Sequence, residues 1–355
     1  MRFSIGPKTH KRELYGFGHE VGELEAALRS AHRLVVIKGL RRTGKTSLMN
    51  AVYSGLKAPK IFVDAREVEA GGVSIYQKMS EQILRSLEHK DLLKKVISRI
   101  ESVEAGVKIK MRTQEPILSA LLEEMDRQAA QSGSHFYIFI DEAQLLKASK
   151  FDFFLALVFD RFPRIKTIVA GSQVGLLDEF VGEKAQAPLY GRARVVVNTQ
   201  KLAKESSLEF LREGFVEEGK RPVSEELEEA TAHLNGTIGW LNLYGFYALA
   251  EGHHKALVKV KREGAKIVWG EISSFLKGRE TARDAYLSLL GMLALKPASW
   301  SQIRNYLVIK LGRNVPEPRL LNYLSALMDN GFVEKTSEAY VLSDPLIGEA
   351  LKLAA

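Results

Sequence analysis

The sequence predicts an α/β protein with an open parallel sheet covered by helices on both faces, followed by an all-helical region and a small C-terminal unit. Five short β-branched or aromatic stretches alternate with helical periodicities over the first 200 residues. This alternation is typical of buried parallel strands that are joined by helices. Beyond residue 200 the periodicity is helical until two short strand candidates near the end.

Each predicted strand of the sheet is short and apolar on both faces, as central parallel strands are. The strands cover residues 33–37, 60–63, 135–140, 166–170 and 195–197. The helices between them cover residues 46–56, 74–87, 116–131 and 151–162. We expect residues 1–200 to form one αβα domain.

The rest of the chain divides into two predicted units. Residues 201–278 hold amphipathic helices at 205–215, 224–234, 240–250 and 253–271. Residues 279–355 hold a helix at 285–295, a second capped by Ser299 and a third at 316–330 with Gly331 as its C-cap, then strand candidates at 332–335 and 339–342. Three helices followed by a β-hairpin is the order of a winged helix-turn-helix.

Composition excludes several classes of protein. The 355 residues include no cysteine, which excludes disulfides, thiolate metal sites and a cysteine nucleophile. The apolar runs are too short to span a bilayer, and the N-terminus does not read as a signal peptide, so we expect a cytoplasmic protein without a membrane partner. The net charge is +8, but its densest stretch, residues 253–271, favours a solvated helix face over a nucleic-acid patch.

The stretch GLRRTGKT at residues 39–46 carries the strongest chemical signal. It matches G-x-x-x-x-G-K-[ST] and lies between a predicted strand and a predicted helix. Glycines let backbone N–H groups point at phosphate oxygens, and the helix N-terminus adds a positive dipole end. Lys45 can reach the β- and γ-phosphates, and the Thr46 hydroxyl can bind Mg²⁺. The residues expected to bind nucleotide here are Gly39, Arg42, Thr43, Gly44, Lys45, Thr46 and Ser47.

A second signal is the apolar strand that ends in Asp141 and Glu142. Asp141 can hold the shell of a Mg²⁺ ion, and Glu142 can polarise a water for attack on the γ-phosphate. A nucleotide kinase has less use for such an acid, because its nucleophile is a substrate. The alternative is that both acids only cap the next helix.

Two further positions are candidates for contact with the γ-phosphate. Ser172 follows the fourth strand and could bind the γ-phosphate or the attacking water; the alternative is a simple turn. Arg192, ahead of Arg194, could act as an arginine finger in its own site or in a neighbour's. The alternative for either arginine is a surface ion pair with a carboxylate.

Together these motifs resemble the archaeal ATPase family of the P-loop AAA+/STAND group, over nearly the whole chain. The residues that carry the resemblance are LYG at 14–16 followed by residues 20–24, GLRRTGKTSL at 39–48, FIDEAQ at 139–144, AGS at 170–172, PLYGR at 188–192, NGTIGWLNLYG at 235–245 and SDPLIGEAL at 343–351. The resemblance implies an αβα nucleotide domain at 1–200, a helical lid at 201–278 and a winged helix at 279–355.

The resemblance also implies that ATP or ADP binds with Mg²⁺ between the first two domains. Adenine is expected against residues 14–17, which include Tyr15 and Gly16. The turn at 236–240 is expected to face the nucleotide, with Ile238 where the family usually has proline. Preference for adenine rests on this resemblance, because the chain has no guanine-reading N-K-x-D motif.

Two functions follow, both with ATP hydrolysis. The first is a slow ATPase that acts as a nucleotide-dependent switch, with a protein partner or self-association through the lid and the winged helix. The second is an ATPase whose winged helix docks on duplex DNA. Residues 281–355 carry eight Lys/Arg and seven Asp/Glu, a net charge of +1, which disfavours DNA because little counterion release results. Arg304, Lys310 and Arg313 keep DNA as the alternative.

Overall fold

The computed structural model describes residues 2–86, 115–183 and 187–353. In these residues the first part of the chain forms a five-stranded sheet in the order β2-β3-β4-β1-β5, with every neighbouring pair parallel. The strands are β1 (Leu34–Lys38), β2 (Lys60–Asp64), β3 (Phe136–Asp141), β4 (Ile165–Gly171) and β5 (Arg194–Asn198). All five predicted strands are confirmed, and their ends agree to within one residue.

Helices connect these strands. They are α1 (Gly18–Arg29), α2 (Lys45–Gly55), α3 (Ala65–Gly71), α4 (Ile75–Ser86), α5 (Glu115–Gln131), α6 (Phe151–Arg161) and α7 (Val174–Phe180), with 3₁₀ helices at Lys11–Glu13 and Ala143–Ser149. Helix α4 was predicted to reach Leu87, which lies outside the described residues. Helices α1, α3 and α7 were not predicted.

Side chains of the sheet alternate between two cores, as the pleat of a strand requires. Val35 and Ile37 face α1 and α2, whereas Leu34 and Val36 face the side covered by α4 to α7. The carboxyl ends of β3, β4 and β1 lie next to one another in the sheet. The segments that follow these three strands therefore meet at one edge.

The second part of the described chain is mostly helical. Its helices are α8 (Lys204–Glu217), α9 (Ser224–Leu234), α10 (Ile238–Glu251), α11 (His253–Leu276), α12 (Arg283–Leu295), α13 (Trp300–Leu311), α14 (Glu317–Asp329) and α15 (Ile347–Leu351), with a 3₁₀ turn at Glu280–Ala282. Two short antiparallel strands, β6 (Val333–Lys335) and β7 (Tyr340–Leu342), follow α14. Among the described residues, no helix has the length and apolarity needed to cross a membrane.

Of the two predicted caps in the C-terminal unit, Ser299 is confirmed and Gly331 lies one residue beyond the observed cap. Ser299 caps α13, because its hydroxyl accepts a hydrogen bond from the backbone N–H of Gln302. Helix α14 ends one residue earlier than predicted, with Asn330 as its C-cap. Gly331 follows with φ of +72°, a left-handed conformation that glycine adopts without strain.

One continuous hydrophobic core joins α8 to α15, and we call residues 204–353 the helical body. Leu241 and Leu257 pack in the same core as Leu324 and Leu346. The predicted boundary between residues 278 and 279 therefore does not coincide with a gap between cores. Phe3 is fully buried in this core too, edge-on to rings of α8.

Candidate nucleotide-binding site

A cavity of about 780 Å³ lies between the carboxyl edge of the sheet and the helical body. Four parts of the chain line it: the N-terminal residues, the phosphate loop (residues 39–46) with the start of α2, the segments that follow β2, β3 and β4, and the helical body. This volume is within the range of pockets for small ligands. In an open α/β sheet, the crevice outside the carboxyl ends of the strands is where ligands bind.

The phosphate loop leads from β1 directly into α2, whose first residue is Lys45. Gly44 has φ of +92°, and a Cβ atom there would lie 2.4 Å from the ring of Phe17. Any other residue at position 44 would therefore be strained and would collide with that ring. Gly44, Lys45, Thr46 and Ser47 line the cavity, so the first N–H groups of α2 are at its wall.

Lys45 is buried at this wall, with a side chain suited to binding an anion. The residue is 5% exposed, and its Nζ donates a hydrogen bond of 2.5 Å to the Leu40 carbonyl. Burial lowers the pKa of Lys45 to about 8, although the nearby carboxylates of Glu142 and Asp141 act in the opposite direction. A phosphate group beside Nζ would stabilise the ammonium form.

Asp141 and Thr46 bring two oxygen ligands together. The Thr46 hydroxyl donates a 2.6 Å hydrogen bond to Asp141 Oδ2, and Asp141 is fully buried. Burial raises the pKa of Asp141, and the hydrogen bond from Thr46 opposes that rise. The described residues hold no group of three His, Asp or Glu side chains that could bind a metal. The two oxygens nevertheless fit Mg²⁺, which usually takes one or two protein ligands and completes its shell with phosphate oxygens and water.

Glu142 lies beside Asp141 in a left-handed conformation, with φ of +51°. Its Oε2 accepts hydrogen bonds from Ser172 Oγ at 2.9 Å and from Gln144 Nε2 at 2.6 Å. It makes no side-chain capping bond to the following 3₁₀ helix. Glu142 thus faces the cavity and not the helix end, and the hydroxyl of Ser172 contacts Glu142.

Arg42 connects the phosphate loop to the helical body. Its guanidinium pairs with Glu271 at 2.6 Å and with Asp344 at 3.0 Å, and it lies 4.3 Å from the centre of the Trp240 ring. Its carbonyl accepts a hydrogen bond from Gly239 N. The guanidinium of Arg42 is therefore bound to the helical body, although the residue also lines the cavity as expected.

Arg41 and Arg66 also line the cavity and were not predicted. Arg41 donates a 2.6 Å hydrogen bond to the carbonyl of Asn330. Arg66 follows β2 and forms a bidentate ion pair with Asp64, which raises the pKa of Arg66. In the sequence, Arg66 could have been recognised by its position directly after a strand that neighbours β3. Arg41 could have been recognised as a charged residue inside the GLRRTGKT motif.

Three predicted nucleotide contacts do not line the cavity. The Thr43 hydroxyl lies 2.7 Å from that of Thr199 beneath the loop, and Gly39 leaves no room for a Cβ atom against Thr199. Gly16 packs near Leu202. These residues shape the loop and its support, whereas Tyr15 lines the cavity as predicted.

Tyr15 belongs to an apolar part of this cavity. Leu14, Phe17 and Ile238 line it as well. The Tyr15 ring lies 5.3 Å from that of Phe210, and its hydroxyl donates to Glu209. Ring faces and aliphatic groups of this kind suit the flat surfaces of a nucleotide base.

Arg192 lies at the amino ends of the strands, on the side of the sheet opposite to the carboxyl edge that borders the cavity. It precedes Arg194, which pairs with Leu34 at the start of β1, whereas the phosphate loop follows the end of β1. A strand of five residues separates the two edges by roughly 17 Å. Arg192 forms an ion pair with Asp160, so the structure does not bring it to the cavity of its own chain. Arg194 bonds the Val181 carbonyl.

Residues 19–242 match the family described as an ATPase domain predominantly from Archaea. The match covers more than half of the chain. The chain belongs to this archaeal ATPase family. It is therefore an ATPase of the P-loop AAA+ class that binds nucleotide, and the resemblance found in its motifs is confirmed. No curated protein sequence matches the chain significantly.

Solved structures agree with this archaeal ATPase assignment. The Walker-type ATPase PABY2304 of Pyrococcus abyssi is 28% identical, with a TM-score of 0.79 over 99% of this chain and 100% of that one. The ORC2 protein of Aeropyrum pernix in its ADP form is 13% identical, with a TM-score of 0.51 over 99% and 96% of the two chains. The second likeness concerns the fold alone.

Proposed function

We propose that this archaeal ATPase hydrolyses ATP slowly and acts as a switch whose helical body responds to the nucleotide. In this proposal residues 201–278 form the lid over the nucleotide, and residues 279–355 form a winged helix. The partner is a protein or a second copy of the chain, bound through these two units. A cytoplasmic location belongs to the same proposal.

The proposed roles follow the geometry of the cavity. Lys45 and the N-terminal N–H groups of α2 bind the phosphates, and Tyr15 lies against the adenine. Thr46 and Asp141 would hold Mg²⁺, which supplies charge neutralisation for the phosphate oxygens. Glu142 orients the attacking water and accepts its proton, and the Ser172 hydroxyl, which contacts Glu142 here, would bind the γ-phosphate or the same water.

The ion pairs of Arg42 carry the switch proposal. Arg42 is part of the phosphate loop, yet its guanidinium binds Glu271 and Asp344 of the helical body. Phosphates that enter the loop change the charge beside this arginine. A change in the loop is therefore transmitted directly to the two carboxylates, without any intermediate element.

Phosphate release by wild type and by Glu142→Gln, each with and without duplex DNA, tests the proposal. We expect slow turnover in wild type, no effect of DNA, and a variant that binds ATP without hydrolysing it. Hydrogen exchange of α11 and of residues 340–351 in the ATP and ADP states should differ. Equal exchange in both states would contradict the switch.

The second candidate is a DNA-associated ATPase. Arg304, Lys310, Arg313 and Arg319 are exposed on the C-terminal unit, which favours it. Asp329 at the carboxyl end of α14 packs against Gly175 of α7, whereas residues 317–319 at the start of α14 are exposed. A several-fold, salt-sensitive rise in ATP turnover with duplex DNA would support this candidate over the switch.

A further inference from the structure

The carboxylate of Glu142 is held by hydrogen bonds that converge on one oxygen. Ser172 donates to Oε2 twice, from Oγ at 2.9 Å and from its backbone N at 3.2 Å. Gln144 Nε2 donates to the same oxygen at 2.6 Å. A carboxylate that accepts three hydrogen bonds on one oxygen is fixed in direction.

A chain of amides continues from Gln144 to the helical body. Gln144 Nε2 also lies 3.3 Å from Gln173 Oε1, and Gln173 Nε2 donates to Asn330 Oδ1 at 3.1 Å. Asn330 Nδ2 donates to the Ala326 carbonyl, which fixes the orientation of its amide. Because Gln144 and Asn330 are both buried, these amides have few other partners.

Asn330 is itself held where the end of α14 meets α7. Its carbonyl accepts the hydrogen bond from Arg41 of the phosphate loop. The preceding residue, Asp329, packs so closely on Gly175 of α7 that a Cβ atom there would lie 2.0 Å from its Oδ1. Any movement of the helical body away from α7 therefore withdraws Asn330 from Gln173.

We propose that Gln144, Gln173 and Asn330 are positioning residues, and that docking of Asn330 holds Glu142 turned toward Ser172 and slows hydrolysis. This inference rests on the proposed role of Glu142 as the base. When Asn330 withdraws, the amide of Gln173 loses its acceptor and can rotate. The amide of Gln144 is then free to leave Oε2, and Glu142 can turn to the water.

Steady-state phosphate release by Asn330→Ala and Gln173→Ala tests the inference. We expect kcat to rise about threefold to tenfold in each, as loss of one hydrogen bond allows, while KM for ATP changes less than about twofold. The double variant should be no faster than the faster single variant, because both break the same chain. Asn330→Asp keeps an acceptor for Gln173 and should be closer to wild type than Asn330→Ala.

Asn322→Ala is the matched control, because Asn322 lies exposed on the same helix. It should leave kcat unchanged. If Asn330→Ala does not fold, Gln173→Ala still tests the chain from the sheet side. A kcat at or below wild type in the folded variants would overturn the inference.

The Glu142→Gln change in the Asn330→Ala background separates the two proposals. If the variant with both Glu142→Gln and Asn330→Ala is inactive, but Asn330→Ala alone is no faster than wild type, only the role of the amide chain is refuted. If the double variant hydrolyses ATP as fast as Asn330→Ala, Glu142 is not the base and both proposals fail.

Discussion

Arg42 Nη1 and Asp344 Oδ2 are 302 positions apart in the chain and 3.0 Å apart in the structure. The same carboxylate accepts hydrogen bonds from the indole of Trp240. Asp344 belongs to the SDPLIGEAL motif, and Trp240 belongs to NGTIGWLNLYG. Two motifs that the sequence could only mark as family features therefore meet at the phosphate loop.

Arg42 has φ of +63°, which costs free energy for a residue with a Cβ atom. We expect the free energy of unfolding of Arg42→Gly to be about 1 kcal/mol higher than that of Arg42→Ala. Both variants lose the ion pairs, but only glycine adopts the left-handed backbone conformation without strain. Urea unfolding of the two variants measures this difference. The φ of Arg41 is not positive. At that position the alanine variant should therefore be more stable than the glycine variant, because glycine loses more backbone entropy on folding. Equal stability of the two Arg42 variants would mean that the loop relaxes.

Lys45 is an ammonium group buried without a carboxylate hydrogen bond. We expect Lys45→Met to raise the melting temperature of the nucleotide-free protein, because it removes the desolvation of a charge. The Leu40 carbonyl keeps a donor, since Thr43 Oγ1 also bonds it. The variant should lose the stabilisation that ATP gives to wild type. A lower melting temperature without nucleotide would contradict this account.

Nucleotide binding should take up a proton above neutral pH. The pKa of Lys45 is about 8 in the free protein, below its unfolded value of about 10.4. Its burial therefore destabilises the free protein below pH 8, and this penalty disappears as the pH rises toward 10.4. Phosphates restore the charged form, so binding of ADP in EDTA should take up about half a proton at pH 8 and more at pH 9.

Calorimetry in buffers of different ionisation enthalpy measures this uptake. Affinity for ADP should fall as the pH rises from 8 to 9.5, because more of the free protein must first be protonated. Proton release on binding, or constant affinity over this range, would show that Lys45 keeps its proton without nucleotide.

Arg192→Ala should leave ATP turnover in dilute protein within about twofold of wild type, because the residue lies a full strand length from the phosphate loop. Its exposed ion pair with Asp160 should contribute less than about 1 kcal/mol to the free energy of unfolding. Phosphate release and urea unfolding check both expectations. A role in a neighbour's site would appear differently, as activity regained when Arg192→Ala is mixed with Glu142→Gln.

The sheet was predictable from local sequence, because runs such as Leu34–Lys38 are apolar on both faces and bounded by turn residues. Helix α1 was missed although Leu24, Ala27 and Leu28 have helical spacing. The positions of Lys45 and Thr46 followed from the spacing of one motif.

The connections of the site were not predictable. Nothing local to Arg42 indicates Glu271 or Asp344 as its partners, because ion pairs between distant segments depend on how whole helices pack. The same holds for Asn330, whose contact with Gln173 requires the docked end of α14. The shared core of α8 to α15 was missed because helical periodicity shows which face is buried but not against which neighbour.

The core shared by α8 to α15 determines how this protein can change shape. A closely packed core resists internal deformation, so residues 204–353 should rotate as one piece against the sheet. Two stretches of backbone lead into that piece: residues 199–203 after β5, and residues 4–17, because Phe3 is anchored inside it. Residues of the second stretch line the nucleotide cavity, and the first packs against the phosphate loop through Thr199 and Thr43. Rotation of backbone dihedral angles in these stretches would change the width of the nucleotide cavity. The hinge and the binding cleft are therefore the same region of the molecule.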